Sequence, residues 1–260
     1  MHSAERENAI IALLEASGFV SFRELERKLS ASPATIRRDL ERLDAEGRIE
    51  RVRGGAHLAG RKVADGGKHH LQGVPFHENI HLNRAQKEAI GRAAAALCEP
   101  GEAVMIDGGS TTLQMCPHIA GLNLQVLTNS LHIVSALLPQ PETRVLVPSG
   151  TVFREQNIIL GAAGEDSMPS FFAPKLFMGA AAVGPRGLMQ ADVVLVAAER
   201  RLIDVAEKLI VMVDSSKFVN PTGIVVCDLD QVDTVVTDSG ISSDQLKKLE
   251  DAGIEVVVAG

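Results

Sequence analysis

Apolar residues recur along the first sixty positions in two rhythms. Ala9, Ile10, Leu13 and Leu14 fall on one face of a helix over Ser3 to Ala16, which Gly18 stops. Ser21 opens a second helix. Glu24 is its capping-box partner, Val20 and Leu25 form a hydrophobic staple, and Leu25 with Leu29 make the buried stripe. Ser32-Pro33 is an N-cap followed by a first-turn proline, so a third helix starts there. Its Ile36, Leu40 and Leu43 face inward, its opposite face carries Thr35, Arg37, Arg38 and Arg42, and Gly47 ends it. From Arg48 to Leu58 the rhythm becomes alternation around Gly54-Gly55, which reads as a hairpin. Three short helices and a basic hairpin predict a winged helix-turn-helix over residues 1–58.

Periodicity then lapses. Residues 59–83, rich in Gly, His and polar side chains, read as a linker. From Arg84 to the end, 84–260, short apolar runs alternate with helical patterns. Strands are expected at Ala103–Asp107, Leu124–Leu127, Arg144–Val147, Lys175–Met178, Leu209–Val213, Ile224–Cys227, Thr234–Val236 and Glu255–Val258. Helices are expected at Arg84–Leu97, Thr112–Ala120, Leu131–Leu137, Asp192–Ala206 and Ser243–Ala252. Such alternation predicts an α/β domain whose mostly parallel sheet is covered on both faces.

Composition narrows the function. A 45% hydrophobic chain of 260 residues has ample core. No apolar run approaches the ~20 residues of a membrane span, and the N-terminus lacks a signal's apolar block, so a soluble cytoplasmic protein is expected. Cys98, Cys116 and Cys227 are far apart and show no metal-ligand spacing. His69, His70, His77 and His81 lack companion cysteines and read as solvated, so neither a metal nor a cofactor is expected. The absence of Trp and Tyr removes the usual stacking platforms for single strands. Net charge is -7, yet residues 1–60 balance ten basic against ten acidic groups. A duplex reader need be basic only where it meets phosphate, because that contact is local.

On this reading the third helix enters the major groove, where Arg suits bidentate contact with guanine and Ser or Thr near the helix start suits phosphate or bases. The DNA-facing candidates are Ser32, Thr35, Arg37, Arg38, Arg42 and Arg53. In the large domain four polar segments follow strands. Asp107-Gly108-Gly109-Ser110-Thr111 opens a helix, where glycine admits an anion to backbone N–H groups and the hydroxyls add donors. Thr128-Asn129-Ser130 caps the next helix; Ser149-Gly150 precedes Arg154; Asp214 precedes Lys217, a point charge for phosphate. Ligands of open parallel sheets bind beyond the strands' carboxyl ends, so these loops predict an anionic polyol site.

The segment VSFRELERKLSASPATIRRDLERLDAEGRIERVRGGAHL resembles the DNA-binding signature of the DeoR family of sugar-metabolism repressors, running ungapped through Ser32, Thr35, Ile36, Arg37, Arg38, Asp39, Leu40, Leu43, Gly47, Arg53, Gly54 and Gly55. QKEAIGRAAAALCEPGEAVMIDGGSTT, VLTNS, PSGTVFREQNIILG, FMGAAAVGPRGL and VMVDSSKF are similar to successive blocks of that family's sensor domain. The resemblance implies Arg37 and Arg38 as leading DNA contacts and a Rossmann-like sensor sharing its fold with ribose-5-phosphate isomerase and amino-sugar phosphate deaminases. It also implies a phosphorylated sugar or sugar-acid effector held by Gly108 to Thr111, Thr128 to Ser130, Ser149-Gly150 and Lys217. Two departures point away from the ordinary effector: Pro174 stands where many members have Asp, and Ala180-Ala181-Ala182 replaces a glycine-rich segment.

The rival readings are a sugar-phosphate isomerase or deaminase and a DNA binder with a non-sensing second domain. The enzymes need a carboxylate base beside the reacting carbon. Around FMGAAAVGPRGL stand only Lys175 and Arg186, and Glu165, Asp166 and Glu199 read as helix-surface charges, so no catalysis is expected. A purely architectural binder leaves the polar loops without a use. The expected protein is a repressor of a carbohydrate operon, homo-oligomeric, with operator DNA and a small phosphorylated effector as partners.

Overall fold

A computed structural model describes residues 6–7, 9–11, 13–14, 19–21, 25, 28–29, 31–52, 55–58, 76–161, 171–219, 221 and 223–260. The chain divides into two compact units, Met1–Lys68 and His69–Gly260.

The first unit is built on the helical stripes. Ile10, Leu14, Leu25, Leu29, Ile36, Leu40 and Leu43 form one core with Ile49 and Ala56. Helix α1 (Pro33–Ala45) starts at Ser32, whose extended backbone and side-chain bond to the Thr35 amide make it the N-cap. Its C-cap is Glu46, and Gly47 beyond it takes a left-handed φ of 67°. Strands β1 (Phe19–Ser21), β2 (Ile49–Val52) and β3 (Gly55–Leu58) form an antiparallel sheet in the order β1-β3-β2. The hairpin was expected; β1 was not, because three residues are too few to show alternation. Glu24, on which the expected capping box depends, lies outside the described residues.

The second unit opens with a helical turn, α2 (Phe76–Asn79), inside the stretch read as linker. Asn83, left-handed at φ 50°, then leads into α3 (Arg84–Ala95). Seven strands form the main sheet: β4 (Ala103–Ile106), β5 (Gln125–Leu127), β6 (Arg144–Leu146), β9 (Ala173–Met178), β12 (Ala206–Met212), β14 (Thr234–Asp238) and β15 (Glu255–Ala259). Their order is β15-β14-β12-β9-β4-β5-β6, and every pairing is parallel. Successive residues point to opposite faces, and both faces are buried. Met105, Leu176 and Val211 join α5 (Val193–Asp204) and α6 (Ser243–Asp251) in one core. Val104, Ile106, Phe177 and Ile210 join α3 and α4 (Leu131–Leu137) in the other.

Three expectations are corrected. The run Ile224–Cys227 forms β13, which leaves the parallel sheet for a small antiparallel one with β10 (Ala182–Gly184) and β11 (Gly187–Gln190), in the order β10-β11-β13. An apolar run reports burial and is silent about its partner. Residues 112–120 were expected to be an α-helix; Thr112–His118 is a 3-10 helix with Pro117 inside. Proline lacks the N–H that an α-helical turn needs there. Finally, the polar stretch after β6 folds as a hairpin, β7 (Thr151–Phe153) and β8 (Ile158–Leu160), that was not foreseen.

Candidate nucleic-acid face and effector site

In the first unit the helix start is fixed by local bonds. Ser32 Oγ accepts from the Thr35 amide at 3.3 Å and lies 2.8 Å from Thr35 Oγ1. Behind it, buried Asp39 accepts from Arg6 Nε at 2.5 Å and Nη2 at 3.1 Å, which raises the Arg6 guanidinium further. Arg42 pairs with Glu7 and lies 3.8 Å from Asp39. This network ties α1 to the first helical segment and fixes its rotation. Arg37 and Arg38 face outward, exposed. A cavity of about 410 Å³ lined by Arg6, Thr35, Arg38, Asp39 and Arg42 lies along this side. The charge of Arg42 is already shared with two carboxylates, unlike a side chain held wholly for phosphate. Arg53 lies outside the described residues.

In the second unit the strand order reverses between β4 and β9, so the crevice at their carboxyl ends is the topological switch point. Strands lie about 4.8 Å apart. The β12 loop bearing Asp214 and Lys217 is therefore about 10 Å from the β4 loop bearing Asp107 to Thr111, a span suited to one small molecule. Thr128, Asn129 and Ser130 end the strand next to β4. The β7–β8 hairpin returns over them: the Leu131 amide bonds Asn157 O at 2.9 Å and the Ile159 amide bonds Asn129 O at 2.7 Å. Ser149, Gly150 and Arg154 sit on that hairpin with exposed side chains or backbone. Gly108 is needed there, since a Cβ would come 2.7 Å from Ile158 Cγ2.

Asp107 is fully desolvated, which pushes its carboxyl up to about 6 even though Asn129 Nδ2 donates to it at 3.0 Å. Asn129 Oδ1 in turn accepts from the Gly108 amide at 3.1 Å. That amide is therefore already bonded, which leaves the amides after it to face an anion at this loop. Thr112 is likewise structural, bonding Asp107 O at 2.8 Å and Gly109 O at 3.0 Å. Ser110 and Thr111 are buried, and their hydroxyls make no hydrogen bond among the described residues. Thr128 and Ser130 are also buried, the latter capping α4 through the Ile133 amide.

The positive charge comes from a residue the sequence reading missed. Lys87, on α3, is 1% exposed, and its Nζ donates to Asn79 O at 2.5 Å and Asn79 Oδ1 at 3.1 Å. Both acceptors are neutral. Burial pushes its ammonium down to about 8, with Asp214 opposing and Lys217 reinforcing that shift, so the three groups share one neighbourhood. Asp214 Oδ1 accepts from Asn83 Nδ2 at 2.9 Å, from the Ser216 amide at 3.2 Å and from the Ser216 hydroxyl. Its Oδ2 is buried without a partner. Lys87 reads in sequence as one charge on an amphipathic helix; its spacing with Ile90 and Ala94 was the available sign that it faces inward.

Glu199 is corrected: it is buried, not a helix-surface charge. Gln190 Nε2 donates to its Oε1 at 2.5 Å. Lys175 is bound to Glu102 at 2.8 Å and Leu97 O at 2.8 Å, at the opposite end of the sheet from the crevice. Arg186 is an exposed turn residue, and Glu165 and Asp166 lie outside the described residues. Among the described residues no group of three His, Cys, Asp or Glu is placed to hold a metal, and no helix is long and apolar enough to cross a membrane. A second cavity, about 290 Å³, is lined by residues such as Arg200, Asp204 and Cys227 beside β13, away from the strand-end loops. The crevice is preferred as the site because desolvated charges of both signs converge there.

Residues 6–62 match the DeoR-like helix-turn-helix domain and residues 82–239 the DeoR C terminal sensor domain. The chain is 30% identical over 258 residues to the HTH-type transcriptional regulator UlaR of Shigella dysenteriae serotype 1 (strain Sd197), covering 99% of each. It is equally similar to UlaR of Escherichia coli (strain K12 / DH10B), with the same coverage. Among solved structures it is similar to ribose 5-phosphate isomerase A of Methanocaldococcus jannaschii (TM-score 0.37, 18% identity, 53% of this chain and 55% of that one). It is also similar to the probable sor operon regulator of Shigella flexneri (TM-score 0.36, 10% identity, 68% and 85%).

Proposed function

The chain belongs to the DeoR family of helix-turn-helix transcriptional regulators, and from that premise we propose that it represses a carbohydrate catabolic operon under control of a phosphorylated sugar or sugar acid. The reader is residues 1–58, the junction 59–83 and the sensor 84–260. Ser32, Thr35, Arg37, Arg38, Arg42 and Arg53 meet operator DNA. Lys87 and Lys217 hold the phosphate, with Asp107 to Thr111, Thr128 to Ser130, Ser149, Gly150, Arg154 and Asp214 around the rest of the ligand. The observation that carries this is Lys87, a buried ammonium with neutral acceptors only, beside a second lysine at the switch point. Asp214 is the carboxylate nearby, against two lysines, so the buried cluster carries an excess of positive charge that an anionic ligand can offset.

Control needs a ligand that binds the DNA-competent and incompetent arrangements unequally. The segment leading into the sensor touches the site: Asn79 holds Lys87 and Asn83 holds Asp214. A phosphate that takes Lys87 from Asn79 shifts that segment. The protein works as a homo-oligomer in the cytoplasm, because one winged domain buries only about 600–1,000 Å² on DNA and paired readers multiply occupancy. A thermal-shift screen of phosphorylated sugars and sugar acids tests the sensor. A ligand at a hundred times its Kd stabilises by about 2.7 kcal/mol; no shift with any of them sinks the reading.

The buried carboxyls of Asp107 and Glu199 favour a second reading, an isomerase-type acid–base pair. We prefer binding because Asp107 is tied to Asn129, leaving one oxygen for a substrate. Ribose 5-phosphate incubated with the protein and followed by NMR should remain unconverted; turnover would reverse the preference.

A further inference from the structure

Glu199 lies on the inward stripe of α5, where Val196, Glu199 and Leu202 are buried at three-residue intervals. Val196 and Leu202 pack in one core with Met105 and Leu127, from the strands that lead into Asp107 and Thr128. The next residue, Arg200, fixes the helix rotation by donating to Val226 O and Val225 O, each at 2.8 Å. Glu199 therefore points inward by construction. Gln190 satisfies its Oε1, while its Oε2 is buried with no partner. Leaving a buried carboxyl oxygen unmatched is costly, and an apolar residue would fill this stripe at no such cost.

We propose that Glu199 is the hydroxyl-reading residue of the effector site, its Oε2 bonding the vicinal hydroxyls of a phosphorylated polyol whose phosphate lies at Lys87 and Lys217. This rests on the sensor reading above and adds the residue that tells a polyol phosphate from phosphate alone. Burial, reinforced by Asp107, holds the Glu199 carboxyl well above the usual range, which favours its neutral form. A neutral carboxyl both donates and accepts, as a hydroxyl does, and it does not repel an anionic ligand. A site built to bond hydroxyls rejects ligands that lack them, because its own polar groups are then left unpaired.

The test uses the full chain as wild type, Glu199→Leu and Glu199→Gln, with inorganic phosphate, ribose 5-phosphate and 6-phosphogluconate as probes in thermal-shift and calorimetric titrations. Glu199→Leu should melt no lower than wild type without ligand and keep its response to inorganic phosphate. Its affinity for whichever polyol phosphate binds wild type should fall at least tenfold, about 1.4 kcal/mol. Glu199→Gln, which still donates and accepts, should recover most of that loss. Unchanged polyol-phosphate affinity in Glu199→Leu overturns the proposal. So does a lower melting temperature with inorganic phosphate binding lost as well, which marks Glu199 as structural. If neither binds wild type, the polyol phosphate found by the screen above replaces them; wild type that binds none in that screen overturns the sensor reading, and this inference falls with it.

Discussion

The two units place their charges in opposite ways. On α1 the arginines Arg37 and Arg38 stand in solvent, and the charges beneath them, Asp39 with Arg6 and Arg42 with Glu7, are paired. Around the β4/β9 crevice the key charges are buried: Lys87, Asp107, Glu199 and Asp214 are all less than one-tenth exposed. An exposed charge is cheap to keep and weak per contact, so a DNA face gains affinity from many of them and is sensitive to salt. A desolvated charge is costly to keep and strong when matched, so a small-molecule site needs few. The first unit stores little free energy for its partner, whereas the second stores a buried ammonium hydrogen-bonded to neutral oxygens and two unmatched carboxyl oxygens that a ligand can relieve.

That contrast breaks most sharply at Lys87. Lys87→Met keeps the aliphatic stem and removes the charge, so the apo sensor should be no less stable. Effector affinity, read by calorimetry, should drop by about 2–5 kcal/mol, the usual cost of truncating one partner of a buried charge pair. In wild type the ammonium's pKa is lowered to about 8. Anion affinity should therefore decline as pH rises through about 8. Over the window from there to the unfolded value near 10.5 the unfolded chain binds more protons, so apo stability should rise. Full effector affinity in Lys87→Met would show that the buried ammonium is structural.

The reader should respond less steeply. Arg37→Ala and Arg38→Ala should each leave the melting curve unchanged and weaken operator binding by about 1–3 kcal/mol if the lost contact is to a base, or reduce the salt slope if it is to phosphate. Wild-type operator binding in both variants would mean that α1 is not the recognition helix.

Asp107 tests the desolvation argument on stability itself. Its carboxyl is pushed up to about 6 by burial, from an unfolded value near 3.8. Between those values the native state holds a proton that the unfolded chain has lost. Stability from this group is thus present at low pH and is lost as pH climbs through about 6. Asp107→Asn should flatten that slope in chemical denaturation at several pH values, a change on the order of 2–3 kcal/mol at about 1.4 kcal/mol per pKa unit. An unchanged slope would mean that Asp107 ionises freely.

The reader was legible from sequence because its information is local. Ser32-Pro33, the spacing of Ile36, Leu40 and Leu43, and Gly47 lie within one helix and specify both its ends and its outer face. The crevice was legible only where a loop follows its own strand, as at Asp107, Thr128 and Asp214. Lys87 and Glu199 sit mid-helix, and only the order β9-β4 and the packing of α3 and α5 on opposite faces of the sheet bring them to the site. The position of β13 was hidden for the same reason, since hydrophobicity encodes burial and strand partners are chosen by the rest of the fold.

Ser32 separates the two economies within a single residue, because it is both an N-cap and a candidate DNA contact. Ser32→Ala removes the bond to the Thr35 amide and should cost about 1 kcal/mol of stability in the first unit. Ser32→Asn restores the cap without charge and should restore the melting temperature. Ser32→Asp caps as well and adds a favourable charge at the helix start, so it too should melt like wild type. On DNA the three diverge. If the start of α1 faces phosphate, Ser32→Asp should bind operator more weakly than Ser32→Asn, most clearly at low salt where screening is least. Equal binding by the Asp and Asn variants would mean that Ser32 only ends the helix and that the DNA-facing surface begins further along α1, toward Arg37 and Arg38.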